Sequence, residues 1–139
     1  MAVQTKRTPR GLRNNNPLNI RKSPNNWRGK ISPGNDRDFE QFDTLEHGLR
    51  AALIIIRTYL SPKHNLHHVQ DIIARWAPAS ENDVAAYTAF VCDKARLTND
   101  VYLYWWHRNF ITRLVWAMAW FECGQKIPYD YFVSAYDTL

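Results

Sequence analysis

Apolar residues recur at helical spacing through most of this chain. Leu49, Ala52, Leu53, Ile56 and Leu60 repeat every three or four positions, the interval at which side chains of an α-helix share one face. Ahead of them, Asp43-Thr44-Leu45-Glu46 has the form of a capping box, with Asp43 as the cap and Glu46 three residues on, and Pro62 stops the run. A shorter helix is expected from Asn65 or His67 through Val69, Ile72, Ile73 and Trp76, closed by Pro78. Ser80 with Asp83 marks a further start, leading through Val84, Tyr87, Val91 and Ala95. Thr98 or Asn99 opens another helical stretch, and a strong helix is expected over residues 109–121. Gly124 then stands where a left-handed C-cap falls, Pro128 prevents continuation, and a last short helical turn covers 129–136.

The front of the chain has a different pattern. Asn14-Asn15-Asn16-Pro17, Ser23-Pro24-Asn25-Asn26 and Ser32-Pro33-Gly34-Asn35 are turn signals, because Asn tolerates left-handed φ and Pro presets its own φ. Residues 27–31 between two of them suffice only for a short strand, so one small irregular β-hairpin over residues 20–42 is expected. Residues 1–10 are polar and basic, contain Pro9, and read as a flexible basic arm. The fold class is therefore mainly α (α+β): a helical domain over residues 11–139 with one small hairpin near its start.

Composition narrows the possibilities. A chain of 139 residues with 45% hydrophobic and 22% charged positions is one ordinary globular domain with a sizeable core. Its aromatic share of 14%, with six Trp and seven Tyr, exceeds ordinary usage and suits a groove that holds sugars or bases as well as a core. The net charge of +5 favours polyanions: nucleic acid, an anionic membrane surface or the acidic bacterial wall. Cys92 and Cys123 supply neither a disulfide framework nor metal-ligand spacing, and His64, His67 and His68 lack a carboxylate at zinc-protease spacing and read as a solvated loop. No metal and no cofactor is expected. The longest apolar run, residues 51–56, is too short to span a bilayer, so no membrane insertion is expected. Residues 1–10 have no apolar stretch behind their basic residues and do not read as a signal peptide.

The string Gly11-Leu12-Arg13-Asn14-Asn15-Asn16-Pro17-Leu18-Asn19-Ile20-Arg21 carries a resemblance. Trp27-Arg28-Gly29, Phe39-Glu40-Gln41-Phe42, Gly48-Leu49-Arg50-Ala51, Arg75-Trp76-Ala77-Pro78, Glu81-Asn82-Asp83, Tyr87, and Phe121-Glu122-Cys123-Gly124 with Pro128-Tyr129 extend it in order. Together they resemble a lysozyme-like family of phage and prophage proteins, described as virion structural proteins or lytic transglycosylases. The same pieces are similar to those of glucosaminidase-type peptidoglycan hydrolases in a different order. There, a helix ending in Glu-Ser-Gly comes first; here its counterpart stands at the back, in residues 116–124. The resemblance thus implies a lysozyme-like catalytic domain over residues 11–139, circularly permuted, with Glu122 returned to a cleft beside residues 14–20.

What the resemblance implies for function is cleavage of the β-1,4 bond between N-acetylmuramic acid and N-acetylglucosamine in bacterial peptidoglycan, by a muramidase or a lytic transglycosylase. Glu122 is the expected general acid. It follows Trp116-Ala117-Met118-Ala119-Trp120-Phe121 at a helix C-terminus, and both an apolar setting and the negative end of the helix dipole disfavour its charge. A transglycosylase manages with one carboxyl, because the substrate's acetamido group and 6-hydroxyl stand in for nucleophile and water. A hydrolase needs a second acid, for which Glu81 is the candidate; its other reading is a first-turn helix residue favoured by the dipole. Asp83 and Glu46 read as capping residues, and Glu40 in the hairpin region stays in view.

Tyr87 stands either to hydrogen-bond the acetamido group or to pack in the core. Asn14, Asn16 and Asn19 are candidates to bind sugar amides and hydroxyls, or to form turns. Trp27 and Trp76 are the candidate sugar platforms, whereas Trp105, Trp106, Trp116 and Trp120 are expected in the core. The resembled family has Asn or Ser where this chain has Cys123, and no cysteine-hydrolase signature surrounds that thiol. The expected partner is the peptidoglycan glycan strand, met by a monomer. Synthesis in the host cytoplasm, with virion delivery or holin release to the periplasm, is the setting this implies. Two other classes remain: a catalytically inactive virion or wall-binding protein of the same fold, and a nucleic-acid binder using Arg7, Arg10, Arg13 and Arg21, for which no recognised DNA- or RNA-binding motif exists.

Overall fold

A computed structural model describes residues 8–78, 80 and 82–139; residues 1–7 of the expected arm lie outside the described residues. The elements in chain order are α1 (Arg10–Arg13), α2 (Leu45–Leu60), α3 (Val69–Trp76), α4 (Val84–Ala95), α5 (Arg108–Cys123) and α6 (Asp130–Asp137). The chain is mainly α, as its periodicity implies. Among the described residues no helix is long and apolar enough to cross a membrane.

The centre of the packing is α5. It lies against α4 on one side and α6 on another, and the short α1 also touches it; α3 packs on α4 and α2 on α6. Ile111, Leu114, Val115 and Met118, spaced along one face of α5, are completely buried, each burial contributing about 1.5–3 kcal/mol. Leu49, Leu53 and Ile56 of α2, Ile72 and Ile73 of α3, and Phe132 of α6 close the same core.

Helix ends follow local chemistry, with one shift. The N-cap of α2 is Thr44, whose hydroxyl accepts the His47 N–H at 3.2 Å. Asp43, expected in that role, instead holds the His47 imidazole at 2.6 Å. Asp83 caps α4 by accepting the Ala86 N–H at 3.0 Å. Gly124 ends α5 at φ +75°, a conformation in which glycine has no Cβ to clash.

Two expectations fail. The helical stretch from Thr98 or Asn99 does not form; residues 97–107 run as turns and irregular chain. There the pattern alternates: Leu103 is buried and donates its N–H to the His67 carbonyl at 2.8 Å, while Tyr102, Tyr104 and Trp106 point outward. Trp106, expected in the core, is consequently 70% exposed. Trp105, Trp116 and Trp120 are partly buried.

The hairpin expected over residues 20–42 is reduced to two isolated antiparallel bridges, Arg21 with Phe39 and Lys30 with Phe42. Side-chain bonds replace a longer ladder. Asp36 accepts the N–H groups of Asp38 and Phe39, the Asn14 amide, and two nitrogens of Arg10. That guanidinium pulls the Asp36 carboxyl far below the ordinary carboxylate range and ties α1 to the loop. Arg10, placed in the arm by its sequence, thus opens α1 and is anchored. Gly48 fixes the other contact: a Cβ there would lie 1.8 Å from the Asn15 carbonyl oxygen, so only glycine lets α2 meet the turn.

Candidate active site

Residues 14–21 form one folded unit. Asn15 and Asn19 both adopt left-handed backbone (φ +52° and +55°), which Asn accepts at lower cost than most residues. Asn16 is fully buried; its amide donates to the carbonyls of Ile20 (3.0 Å) and Glu40 (2.9 Å), and its oxygen accepts the Ile20 N–H (2.9 Å). Asn14 is buried between Asp36 and Gln41, and Asn15 donates to the Phe42 carbonyl. Gly11 allows α1 to lie on this turn, since a Cβ would come 3.0 Å from the Asn16 carbonyl oxygen and 3.1 Å from Asn19 Oδ1. The whole arrangement aims Asn19 outward from the turn.

Asn19 meets Glu122, which stands 103 positions later in the sequence. Its Nδ2 donates to Glu122 Oε1 at 3.2 Å and to the Glu122 main-chain oxygen at 3.3 Å. From α4, the Tyr87 hydroxyl donates to Glu122 Oε2 at 2.9 Å. The Tyr87 ring is fully buried and stacks on Phe121 with centroids 4.0 Å apart. Both carboxylate oxygens are therefore gripped, one by the turn and one by α4, at the last turn of α5.

Electrostatics at Glu122 are a contest. Burial raises its pKa above the ordinary glutamate value, while the Tyr87 hydroxyl, the Asn19 amide and the Arg21 guanidinium favour the charged form; burial wins. Burial, and then the Glu122 charge, hold the Tyr87 phenol well above its usual pKa, so it remains a donor. Glu122 opens onto a cleft of about 440 Å³ whose wall includes Asn19, Arg21, Arg75, Trp76 and Asn82. Among the described residues it is the one carboxylate lining that cleft. A carboxyl whose pKa is raised by burial, beside a polar cleft, can give a proton to a leaving oxygen and take one back.

The chain matches no family model. It is 39% identical over 132 residues to Protein P5 of Pseudoalteromonas phage PM2, a match covering 93% of this chain and 79% of that protein. The chain belongs to the family of that phage protein.

Of the residues singled out by sequence, the structure gathers Glu122, Tyr87, Asn19 and Trp76. Trp76 lines the cleft, with its indole N–H fixed on the Leu18 carbonyl at 3.3 Å. Asn14 and Asn16 do not reach the cleft, because their amides are consumed inside the turn. Trp27 does not line it either; it packs against the core with its indole nitrogen buried. Glu81 lies outside the described residues. Glu40 is buried and paired with Lys30 at 3.0 Å, which assigns it to holding the loop.

Cys123 is buried, donates to the Gln125 carbonyl at 3.4 Å, and has its thiol pKa raised by burial, the opposite of an activated nucleophile. His67 is not loose: it stacks on Tyr102 and bonds the Leu103 carbonyl. Among the described residues no group of His, Cys, Asp and Glu side chains is arranged to hold a metal. Of the other cleft residues, Arg21 was singled out only for the nucleic-acid reading, and Arg75 and Asn82 were not named as site candidates. For Arg21 and Arg75, closeness in sequence to Asn19 and Trp76 is the signal that points to them.

Proposed function

We propose that this chain is a lysozyme-like enzyme that cuts the glycan strands of bacterial peptidoglycan, a muramidase or lytic transglycosylase with Glu122 as general acid and base. The observation that carries this reading is the seating of Glu122: both oxygens held, the charge disfavoured by burial, and the group facing a polar cleft.

In this mechanism Glu122 protonates the oxygen of the β-1,4 bond as the bond from that oxygen to C1 breaks. The substrate's acetamido oxygen closes onto C1, giving an oxazolinium-like intermediate. Glu122, now a carboxylate, then removes a proton from the 6-hydroxyl, whose oxygen attacks C1 as the bond from C1 to the acetamido oxygen breaks, restoring the acetamide and giving a 1,6-anhydro end. If water is deprotonated instead, a reducing end results. Tyr87 and Asn19 hold the carboxyl through both steps and stabilise it while it is charged. That the described part of the cleft offers one carboxylate suits the one-acid route. The left-handed turn at Asn19, bound to a residue near the far end of the chain, and the contact of α1 with α5 support a circularly permuted lysozyme-like plan. Delivery from a virion or through a holin would bring the enzyme to the wall.

The test is loss of turbidity in a suspension of purified walls, with mass spectrometry of the released fragments. Wild type is expected to clear the walls and Glu122→Gln, checked for folding, to leave them intact; 1,6-anhydro ends identify the transglycosylase and reducing ends the muramidase. Walls untouched by wild type, or cleared equally by both proteins, contradict the proposal; wall binding without cleavage would make this an inactive wall-binding protein.

A further inference from the structure

The cleft at Glu122 also holds the guanidinium groups of Arg21 and Arg75. Arg21 follows Asn19 by two residues, and Arg75 sits in the last turn of α3 beside Trp76. The Arg21 guanidinium lies 5.2 Å from the centre of the Phe39 ring, and that of Arg75 lies 5.8 Å from the centre of the Tyr59 ring. Each long side chain is thus laid along an aromatic surface, which limits the freedom it loses on binding. Both residues are exposed. In the described part of the cleft these two guanidinium groups stand against a single carboxylate, that of Glu122.

A guanidinium fork matches a carboxylate in geometry and charge. A β-1,4 polymer of N-acetylglucosamine is neutral and has nothing to offer such groups. A strand in which every second sugar bears a carboxylate does. We infer that Arg21 and Arg75 form an anion-reading subsite that selects glycan strands carrying carboxylates on alternate sugars over neutral N-acetylglucosamine polymers. This rests on the proposed function for its substrate class. The carboxylate is that of the lactyl ether group itself or of the stem peptide attached to it.

The experiment measures binding by full-length Glu122→Gln protein, which prevents turnover, to three soluble probes at low and physiological salt. They are peptide-free muramic-acid-containing strands, the same strands with stem peptides, and neutral N-acetylglucosamine hexamer. At least one anionic probe is expected to bind about tenfold more tightly than the neutral one. That preference should fall below about twofold when Arg21→Gln and Arg75→Gln are added, and survive when Arg21→Lys and Arg75→Lys are added. Preference for the peptide-free strand identifies the lactyl carboxylate, and preference only with peptides identifies the stem.

Equal binding of all probes, a preference that survives both Gln substitutions, or no binding of any glycan overturns the inference. Wall cleavage by wild type is scored separately. Glu122-dependent cleavage without a charge preference sinks the subsite alone; an Arg-dependent preference without cleavage sinks the catalytic reading alone.

Discussion

Replacing Glu122 by Gln is expected to remove wall cleavage and, at neutral pH, to make the folded protein more stable. The amide keeps the shape of the side chain and can keep its bonds. Its oxygen accepts from Asn19 Nδ2, and its nitrogen donates to the Tyr87 hydroxyl, which turns to the Met118 carbonyl 3.5 Å away. What disappears is the cost of ionising a carboxyl that burial holds above its ordinary pKa. Bonds to a charged group are worth about 1.5–3 kcal/mol each, yet at this site burial outweighs those that Tyr87 and Asn19 provide, so the variant is expected to be the more stable protein at neutral pH. For a chain of 139 residues each 1 kcal/mol of difference would appear as a shift of about 3–5 °C in Tm.

The pH dependence has a definite sign. A group whose folded pKa is raised contributes stability that is fully present below its unfolded pKa and is lost as pH rises through the folded value. Wild type and variant should therefore unfold together in acid and separate as pH climbs above the ordinary glutamate range. Loss of the general acid lowers the rate of cleavage by about 100- to 10,000-fold. Thermal unfolding followed by circular dichroism from pH 3 to 8, beside wall turbidity, reads both effects. A variant less stable than wild type at neutral pH, or a difference that does not change with pH, would refute the reasoning.

Three further substitutions probe the same construction. Tyr87→Phe keeps the ring on Phe121 but deletes a donor to the carboxylate, so the alkaline limb of the cleavage rate should move to higher pH, with a stability loss of about 1 kcal/mol; an unmoved limb means the hydroxyl does not act on Glu122. Asn16→Ala leaves two carbonyls and one N–H without their buried partner and should cost about 3 kcal/mol in urea unfolding; a near-neutral result would place Asn16 outside the turn's support. Gly48→Ala drives a methyl to 1.8 Å from the Asn15 carbonyl oxygen and should lower the urea midpoint by more than about 2 kcal/mol equivalent, with loss of wall cleavage because the turn shifts away from α2.

Much of this architecture could be read from residues before any coordinates. The apolar period of α2 and α5 and Gly124 as a left-handed cap are local signals that reappear where their chemistry places them, and of the pair Ser80 and Asp83 it is Asp83 that caps α4. Glu122 drew attention mostly through the resemblance, and also because an acid in the last turn of an apolar helix is electrostatically costly; the structure places it against Asn19 and Tyr87. The inward duties of Asn14 and Asn16 were not legible, because an Asn that binds a distant carbonyl is identical in sequence to one that faces solvent. Residues 98–107 misled because their apolar content is high, and only the alternation of Leu103 with outward Tyr102 and Tyr104 distinguishes extended chain from helix. The cap of α2 slipped by one residue since Thr44 and Asp43 both carry a suitable oxygen and His47 decided between them. Arg21 and Arg75 come together only because α3, from the middle of the chain, and the turn near its start bound the same cleft.

The whole account depends on one carboxyl that holds its proton longer than a glutamate in water. Carbon-13 NMR of protein labelled at glutamate Cδ, with Glu122→Gln used to assign the signal, follows that proton directly as pH is varied. The account predicts that the Glu122 resonance titrates with a midpoint above the ordinary glutamate value, and that Tyr87→Phe moves the midpoint higher still. A midpoint at or below the ordinary value, unaffected by the loss of the Tyr87 hydroxyl, would contradict it.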